Sequence, residues 1–221
     1  MATSSEEQTS REQIQSAAFK LMLEEGYKQA NYTRISAESG QGRPLVQYYF
    51  PKKEDMAVAL VLEILRGIAK ALETADVPGE APELRIMHMG QVYYSFLLRD
   101  AQTTSLTFDL LSDRGITGRI VKVNAEESLP LYSVGQDEDA AVAMREASIK
   151  ATGGVYEMLW LRIKEKTPVD PADLSAQNTA AFLALVGASP YVAAYDRLMA
   201  EKIDQAVVDS LVESVRRGML A

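Results

Sequence analysis

Cysteine is absent from this chain of 221 residues, and histidine occurs once, at position 88. Without thiols there can be no disulfide framework and no thiolate chemistry, a composition that suits a reducing cytoplasm, where we expect the protein. A metal centre would need clustered His, Cys or carboxylate ligands, and the sequence offers no such spacing. We therefore expect neither a metal nor a cofactor.

Long apolar runs are also missing. The longest, near residues 57–65, is interrupted by Glu63 and is far too short to cross a bilayer. The first ten residues, MATSSEEQTS, are polar and acidic and lack the apolar core of a signal peptide. We expect no membrane partner, while an apolar content of 47% is enough for a sizeable core.

Motifs for catalysis are missing too. The sequence contains no Gly-x-Ser-x-Gly elbow and no glycine-rich phosphate loop, and the lone histidine has no evident nucleophile as a partner. The sequence therefore predicts a protein that is not an enzyme, with no catalytic residues.

Nearly every periodic segment predicts an α-helix, and none shows the alternation of a strand. Residues 1–9 are expected to form a disordered tail, and Ser10 is expected to cap a first helix that Gly26 ends. A second, short helix is expected to begin after Asn31 and to end at Gly40. A fourth is expected over residues 52–72.

Beyond a break at residues 77–79 the helices become longer and more apolar. We predict them over about 81–99, 101–111, 137–166, 171–187, 190–199 and 203–220, with turns and short helix over 112–136. Asp170, which precedes Pro171, is expected to cap the helix that begins there. The fold class is therefore all-α, with about nine to ten helices. We expect a helix-turn-helix module over residues 10–55, and a larger bundle for ligand binding and dimerisation over residues 56–221.

Two prolines seven residues apart delimit the third helix. Proline is tolerated in a first helical turn and forces the residue before it to be extended, so a helix can begin at Pro44 and must end before Phe50. A helix over residues 44–49 is too short to be stable alone, so its neighbours must hold it. Together with the second helix and the glycine turn between them, it forms a helix-turn-helix.

The residue types of this third helix suit a nucleic-acid groove. With Ile35, Val46 and Phe50 as apolar plugs, polar, basic and aromatic side chains are left on the outer face. Arginine can pair with guanine, glutamine with adenine, and leucine can contact a thymine methyl, whereas tyrosine and lysine typically reach phosphates. The predicted DNA-binding residues are Arg34, Arg43, Leu45, Gln47, Tyr48, Tyr49 and Lys53. A solvated helix charge is an equal alternative for Arg34.

The charge distribution tempers this prediction. The whole chain carries a net charge of −8, whereas residues 11–55 hold seven basic and six acidic side chains, a net of +1. An acidic bulk repels DNA everywhere except at a locally basic face, so non-specific binding should be weak while specific binding remains possible.

Residues 11–56 resemble the DNA-binding domain of the tetracycline-repressor-like (TetR) family of bacterial regulators. The residues that match its pattern are Ala17-Ala18, Gly26, Ile35, Ser39-Gly40, Val46, Tyr48, Tyr49, Phe50 and Lys53. The residues that depart from it are Ser36, Gln41, Gly42, Pro44 and Gln47. The resemblance covers about a fifth of the chain.

The resemblance implies a homodimer that binds a palindromic operator on double-stranded DNA, usually as a repressor, and that a small-molecule effector releases. The alternative is a helical ligand-binding or protein-interaction bundle without sequence-specific DNA binding. A steep loss of DNA affinity with salt would separate the two.

Aromatic side chains and methionines of the bundle suggest a largely hydrophobic effector. The candidate effector-binding residues are His88, Gln91, Tyr93, Tyr94, Phe96, Phe108, Tyr156 and Trp160. Plain core packing is the alternative for the aromatic residues, and a solvated or core-edge stripe is the alternative for His88 and Gln91.

Two later helices carry small and β-branched residues that permit close helix approach. The predicted dimer surface comprises Ala180, Ala181, Leu183, Ala184, Val186, Val207, Val208, Leu211, Val212 and Val215. A monomer could use the same faces for its own core.

Overall fold

A computed structural model of the chain describes residues 4–79, 81–128 and 138–220. Over these ranges the regular structure is entirely helical. The helices are α1 (Ser4–Glu25), α2 (Tyr32–Ser39), α3 (Arg43–Tyr49), α4 (Lys53–Leu72), α5 (Pro82–Leu97), α6 (Ala101–Ser112), α7 (Arg114–Ser128), α8 (Glu138–Glu165), α9 (Pro171–Leu185), α10 (Tyr191–Ala200) and α11 (Gln205–Leu220). The all-α prediction is confirmed, although these ranges already hold eleven helices rather than nine or ten.

The start of the first helix was predicted wrongly. Helix α1 begins at Ser4, so the expected cap, Ser10, lies inside the helix, and the expected disordered tail over residues 1–9 does not extend past residue 3. The physical reason is that residues 4–25 contain neither proline nor glycine, and nothing stops the helix from continuing towards the N-terminus. Residues 1–3 lie outside the described residues.

Helix α7 is the additional helix. Turns and short helix were expected over residues 112–136, yet Arg114–Ser128 is one continuous helix. The Asp113 carboxylate accepts hydrogen bonds from the backbone N–H groups of Gly115 (2.8 Å) and Ile116 (3.1 Å), which caps its start. An apolar stripe that includes Ile116 and Ile120 is buried and holds the helix despite its two glycines. Residues 129–136 of the predicted segment lie outside the described residues.

Local stop and start signals were read correctly elsewhere. The Asn31 side chain accepts from the N–H groups of Thr33 and Arg34, both at 3.1 Å, and so caps α2. Gly40 ends that helix with a φ of +68°, a value that glycine adopts without strain. The Asp170 carboxylate caps α9 by accepting from the N–H of Ala172 at 2.8 Å.

Helix α4 joins the N-terminal helices to the bundle. It contacts α1 near its start, and it packs against α5, α7 and α11. One continuous cluster of buried apolar side chains therefore runs from Val46 and Phe50, through Leu60 and Ile64, to Tyr93. The domain boundary predicted after residue 55 falls in the first turn of α4 and stays a prediction.

A second apolar cluster joins α5 to α8, α9 and α10 and is rich in alanine. Its tightest point is Gly90 of α5, where an added Cβ would lie 2.2 Å from Ser175 Oγ. The same hydroxyl donates to the backbone oxygen of Met87 at 2.6 Å. The small residues expected to allow close helix approach do so within the chain.

The faces predicted for dimerisation are mostly internal, which corrects that prediction. Ala180 and Leu183 are buried in the second cluster. Val208, Leu211, Val212 and Val215 are buried in the main core. Small and β-branched side chains allow close approach within one chain as readily as between two, so their pattern alone could not decide. Of the predicted set, Ala184 is exposed.

No helix in the described ranges is both long enough and apolar enough to span a membrane.

Candidate nucleic-acid interface and ligand cavity

Helix α3 begins one residue before the predicted start. Gly42 is its N-cap, Pro44 stands in its first turn, and the N–H of Phe50 donates to the backbone oxygen of Val46 at 3.0 Å. Val46 and Phe50 are buried in the main core, as predicted. The inner side of α3 is therefore fixed by apolar contacts with the helices around it.

Two hydroxyl groups of α2 hold the two ends of α3. The single proton of the Tyr32 hydroxyl is shared between the backbone oxygens of Phe50 (3.0 Å) and Pro51 (3.1 Å), which lie just past the C-terminal end of the helix. At the other end, Ser36 Oγ donates to the backbone oxygen of Gln41 at 2.6 Å. Sequence reasoning missed Tyr32, because its partners lie 18 and 19 residues away.

The outer side of α3 presents Arg43, Gln47 and Tyr48. All three are exposed, and Tyr48 keeps 75% of its surface accessible. Its ring packs edge-on against that of Tyr49 at 5.2 Å. Tyr49 and Leu45 are partly buried against the core, so they lie at the edges of this face. The geometry leaves a basic residue, an amide and a phenol facing solvent together.

Arg34 is engaged within the chain. Both terminal nitrogens of its guanidinium donate to the Glu25 carboxylate of α1. The hydrogen bond from Arg34 holds the pKa of Glu25 below its usual value. Its charge is therefore already compensated, which favours the structural alternative for Arg34 over a phosphate contact.

Lys53 is half-buried rather than extended into solvent. Its Nζ lies 4.0 Å above the Tyr27 ring and 3.4 Å from the backbone oxygen of Lys28. Burial lowers the pKa of the Lys53 ammonium. Lys52, in contrast, is an exposed amine next to α3, at the N-cap of α4.

A small cavity lies among α4, α5, α7, α8 and α9. Its volume is about 40 Å³, inside a cleft of about 610 Å³ that includes open solvent. The lining consists of Leu65, Ile86, Met89, Gly90, Tyr93, Tyr94, Asn124, Ser148, Ala151, Thr152, Asn178, Thr179 and Phe182. Throughout this set of described residues there is no charged side chain.

Two buried oxygens in this lining have no hydrogen-bond partner. They are Oδ1 of Asn178 and Oγ1 of Thr179, consecutive residues of α9. Leaving a buried polar atom unpaired costs free energy unless a ligand or water pairs with it. Sequence reasoning missed both residues, since nothing distinguishes Asn178 or Thr179 from other polar residues of a helix.

Tyr93 and Tyr94 are the two predicted effector residues that line the cavity. Tyr156 lies behind Tyr93, with its hydroxyl 3.0 Å from that of Tyr93 and 2.8 Å from Asn124 Nδ2, which donates to it. Burial raises the pKa of Tyr93 to about 12, opposed by these hydrogen bonds, so the phenol is neutral.

His88 and Gln91 do not face the cavity. His88 is 1% exposed, and its Nε2 lies 2.7 Å from the backbone oxygen of Glu201. Gln91 donates to the backbone oxygen of Ile203 at 2.9 Å and accepts from its N–H at 3.0 Å. The two side chains therefore fix the connection between α10 and α11. Partners more than 110 residues away could not be read from the sequence.

The remaining aromatic candidates are not cavity residues either. Phe96 is packed in the main core. Phe108 and Trp160 stack on each other at 6.0 Å, and the Trp160 indole donates to Ser112 Oγ at 2.9 Å. Aromatic side chains at helical spacing thus serve packing at these positions, the alternative stated for them above.

The family of bacterial regulatory proteins named tetR has a domain model that matches residues 14–60 of this chain. Residues 14–60 are therefore a domain of the tetR type. The match covers α2 and α3, most of α1 and the beginning of α4, so the face formed by Arg43, Gln47 and Tyr48 belongs to a tetR helix-turn-helix.

The whole chain shares its fold with a known tetR-family protein. The crystal structure of a tetR-family transcriptional regulator from Streptomyces coelicolor superposes with a TM-score of 0.51, at 17% sequence identity, over 96% of this chain and 98% of that one. At this identity the similarity shows the fold alone. A comparison with curated proteins found no match.

No group of three or more His, Cys, Asp or Glu side chains comes together as a metal site in the ranges that the structure covers.

The stability of this protein should depend on pH through His88. Burial lowers the pKa of His88, and Nδ1 is buried without a partner. At mildly acidic pH, His88 is therefore protonated in the unfolded chain and neutral in the folded chain. The free energy of unfolding should fall as pH drops below about 6.5, the pKa of a free histidine. Urea unfolding between pH 7.5 and 5.5 measures this slope.

The matched variant is His88→Gln, which keeps an amide able to donate to Glu201 and removes the chain's single histidine. We expect its free energy of unfolding to change less over the same pH range. An equal slope in both proteins would show that His88 does not cause it.

Proposed function

We propose that this protein is a tetR-family transcriptional regulator that binds a palindromic operator as a homodimer, most simply as a repressor, and releases it when a small effector occupies the bundle. The observation that carries the proposal is the two-sided character of α3. Its inner residues, Val46 and Phe50, are buried, whereas Arg43, Gln47 and Tyr48 stand exposed together. A helix held from behind with a polar face outward suits the major groove.

The exposed face suggests a role for each side chain. Arg43 can pair bidentately with guanine, and Gln47 with adenine. Tyr48 and Lys52 reach outward from its end and suit phosphates, while the partly buried Leu45, Tyr49 and Lys53 have less reach. Arg34 supports the fold by pairing with Glu25 and contributes little to DNA contact.

The short length of α3 supports a homodimer. A helix of seven residues contacts few base pairs, so specificity needs a second copy about 34–36 Å away, one helical turn along the duplex. With the predicted dimer faces largely internal, the exposed apolar side chains at the α9–α10 corner offer the surface. Leu185 is 53% exposed and Val192 is 68% exposed, beside exposed Ala184 and Tyr191.

The cavity is the proposed effector site. Because its volume of about 40 Å³ is well below the ~150 Å³ that holds benzene in a protein interior, the cavity widens towards the surrounding cleft when an effector binds. A ligand there meets apolar and aromatic side chains, no charge, and the unpaired oxygens of Asn178 and Thr179. An amide oxygen only accepts, and a hydroxyl can accept as well. The effector is therefore an uncharged, mainly apolar molecule with at least one N–H or O–H donor, which refines the largely hydrophobic ligand expected from the sequence.

The alternative is a helical ligand-binding or protein-interaction bundle without sequence-specific DNA binding. The net charge of −8 and the internal pairing of Arg34 favour it. That the protein is no enzyme and works in the cytoplasm stays a prediction under either function.

Arg43→Ala should relax base preference, whereas Lys52→Ala should weaken binding to every duplex about equally. The reason is that the first removes a base contact and the second a phosphate contact. The probe is a duplex selected by the wild-type protein from a randomised pool, together with single-base variants of it. Fluorescence anisotropy over a series of salt concentrations gives both affinity and salt slope.

Because the homodimer carries Lys52 twice, the Lys52 variant should also lose about two units of the salt slope. Lys150→Ala is the matched control, because Lys150 is an exposed lysine of α8 paired with Glu146. Failure of the wild-type protein to select any duplex would reject the regulator function in favour of the bundle. Equal effects of Arg43→Ala and Lys52→Ala on all duplexes would reject the assigned roles.

Benzamide should stabilise the free protein against heat more than acetophenone does, and benzoate should not stabilise it. The three molecules are nearly isosteric, but only benzamide is both uncharged and a donor for Asn178, and a carboxylate would be buried without a partner. The double variant Asn178→Leu with Thr179→Val should lose the preference for benzamide. Stabilisation by benzoate equal to that by benzamide would contradict the proposed ligand class.

A further inference from the structure

The Asp55 carboxylate holds two elements at once. Its Oδ2 accepts the backbone N–H of Lys52 at 3.1 Å, which closes the junction between α3 and α4. Its Oδ1 lies 2.8 Å from a guanidinium nitrogen of Arg119 on α7, with which it forms an ion pair. Asp55, in the first turn of α4, therefore ties the junction between α3 and α4 to α7 of the bundle.

The same helix α7 reaches the ligand cavity. Asn124 lines it and lies about 7.5 Å further along the helix axis than Arg119. Asn124 Nδ2 donates to the Tyr156 hydroxyl at 2.8 Å, and that hydroxyl lies 3.0 Å from the hydroxyl of Tyr93, another lining residue. Polar contacts thus connect the cavity wall with Asn124 and the α3–α4 junction with Arg119, on the same helix.

Helices α4 and α7 also lie side by side along this route. Arg66 of α4 lies 3.7 Å from Glu127 of α7, next to the cavity residue Leu65. The cavity end of the pair is therefore fixed by one ion pair and the DNA-binding end by another. A shift of α7 at the cavity acts on Asp55 through Arg119.

We infer that Arg119 is a positioning residue, which transmits the state of the Tyr93–Tyr156–Asn124 hydrogen bonds to the α3–α4 junction through Asp55. The inference rests on the proposed function, and it assigns that function its internal route. A ligand that bonds to Tyr93 or Asn124 competes with these hydrogen bonds, frees α7 to shift, and loosens the Arg119–Asp55 contact. Helix α3 then loses the orientation that DNA binding requires.

The test replaces the unknown effector by a substitution that breaks the same hydrogen bonds. Tyr156→Phe removes the central hydroxyl, and Arg119→Gln removes the ion pair to Asp55. Hydrogen exchange of the full-length free protein is followed at the backbone amides of residues 50–56. Each variant should raise exchange there by about threefold or more, the size of a modest coupling.

The double variant Tyr156→Phe with Arg119→Gln shows whether the two substitutions act through the same contacts or independently. If both changes act along one route, Tyr156→Phe should add little in the Arg119→Gln background. Arg119→Lys, which keeps the charge, should restore part of the protection. A purely local clamp at Asp55 would respond to Arg119→Gln and ignore Tyr156→Phe.

Two matched controls exclude general loosening. Arg114→Gln removes an ion pair from the same helix α7, to Glu157 at 3.2 Å, without touching α4. Tyr195→Phe removes another tyrosine hydroxyl bond, to Asp173 at 2.8 Å. Neither should change exchange at residues 50–56.

The inference is overturned if Tyr156→Phe leaves residues 50–56 unchanged, if the two effects add fully, or if the controls act as strongly. Because the readout uses the free protein, it decides the route even if no duplex is ever selected. Where a duplex is available, Arg119→Gln should lower affinity about threefold or more while base preference is retained.

Discussion

The burial of Val46 and Phe50 beneath α3 is the constraint on which the rest of the molecule depends. A seven-residue helix cannot hold itself together in water, because too few hydrogen bonds offset the cost of nucleating it. Here its inner side joins the main core, and the Tyr32 hydroxyl binds the carbonyls at its end. Only a helix fixed in this way can hold Arg43 and Gln47 ready for base edges.

Helix α4 extends the packing beneath α3 to the rest of the molecule. Its buried face belongs to the same cluster as the inner side of α3 and the cavity residues Leu65, Tyr93 and Tyr94, so α3 and part of the cavity wall share one core. A rearrangement at the cavity cannot remain local when α4 and α7 both touch it. The proposed regulation through the core needs this continuity, and the proposed route through Arg119 is one specific form of it.

The parts of the fold that local chemistry decides could be predicted from the sequence. Pro44 and Pro51 delimit α3, Asn31 and Asp170 cap their helices, and Gly40 ends α2. Each of these signals acts within four residues or so, and each needs no knowledge of the fold. The outer face of α3 could be predicted in the same way, because Val46 and Phe50 were expected to be buried and the other side chains were left to face solvent.

What failed depended on partners distant in the sequence. His88 and Gln91 were placed at a cavity but bind backbone atoms over 110 residues away. Lys53 was expected to extend towards phosphates but lies over Tyr27. The valines of α11 were predicted to contact a second chain, but they are buried in the core of their own chain. An apolar helix face indicates that it will be buried, but it does not indicate which partner buries it.

The most direct measurement concerns Tyr32→Phe, which removes one hydroxyl and no apolar surface. Loss of this hydroxyl should lower the free energy of unfolding by about 0.5–1.5 kcal/mol, the usual contribution of one hydrogen bond. Hydrogen exchange in α3 should rise, and affinity for the selected duplex should fall, with the helical circular dichroism of the whole chain unchanged. If α3 stayed fully protected and the duplex bound as tightly as before, the claim that these contacts hold the DNA-binding helix in place would be contradicted.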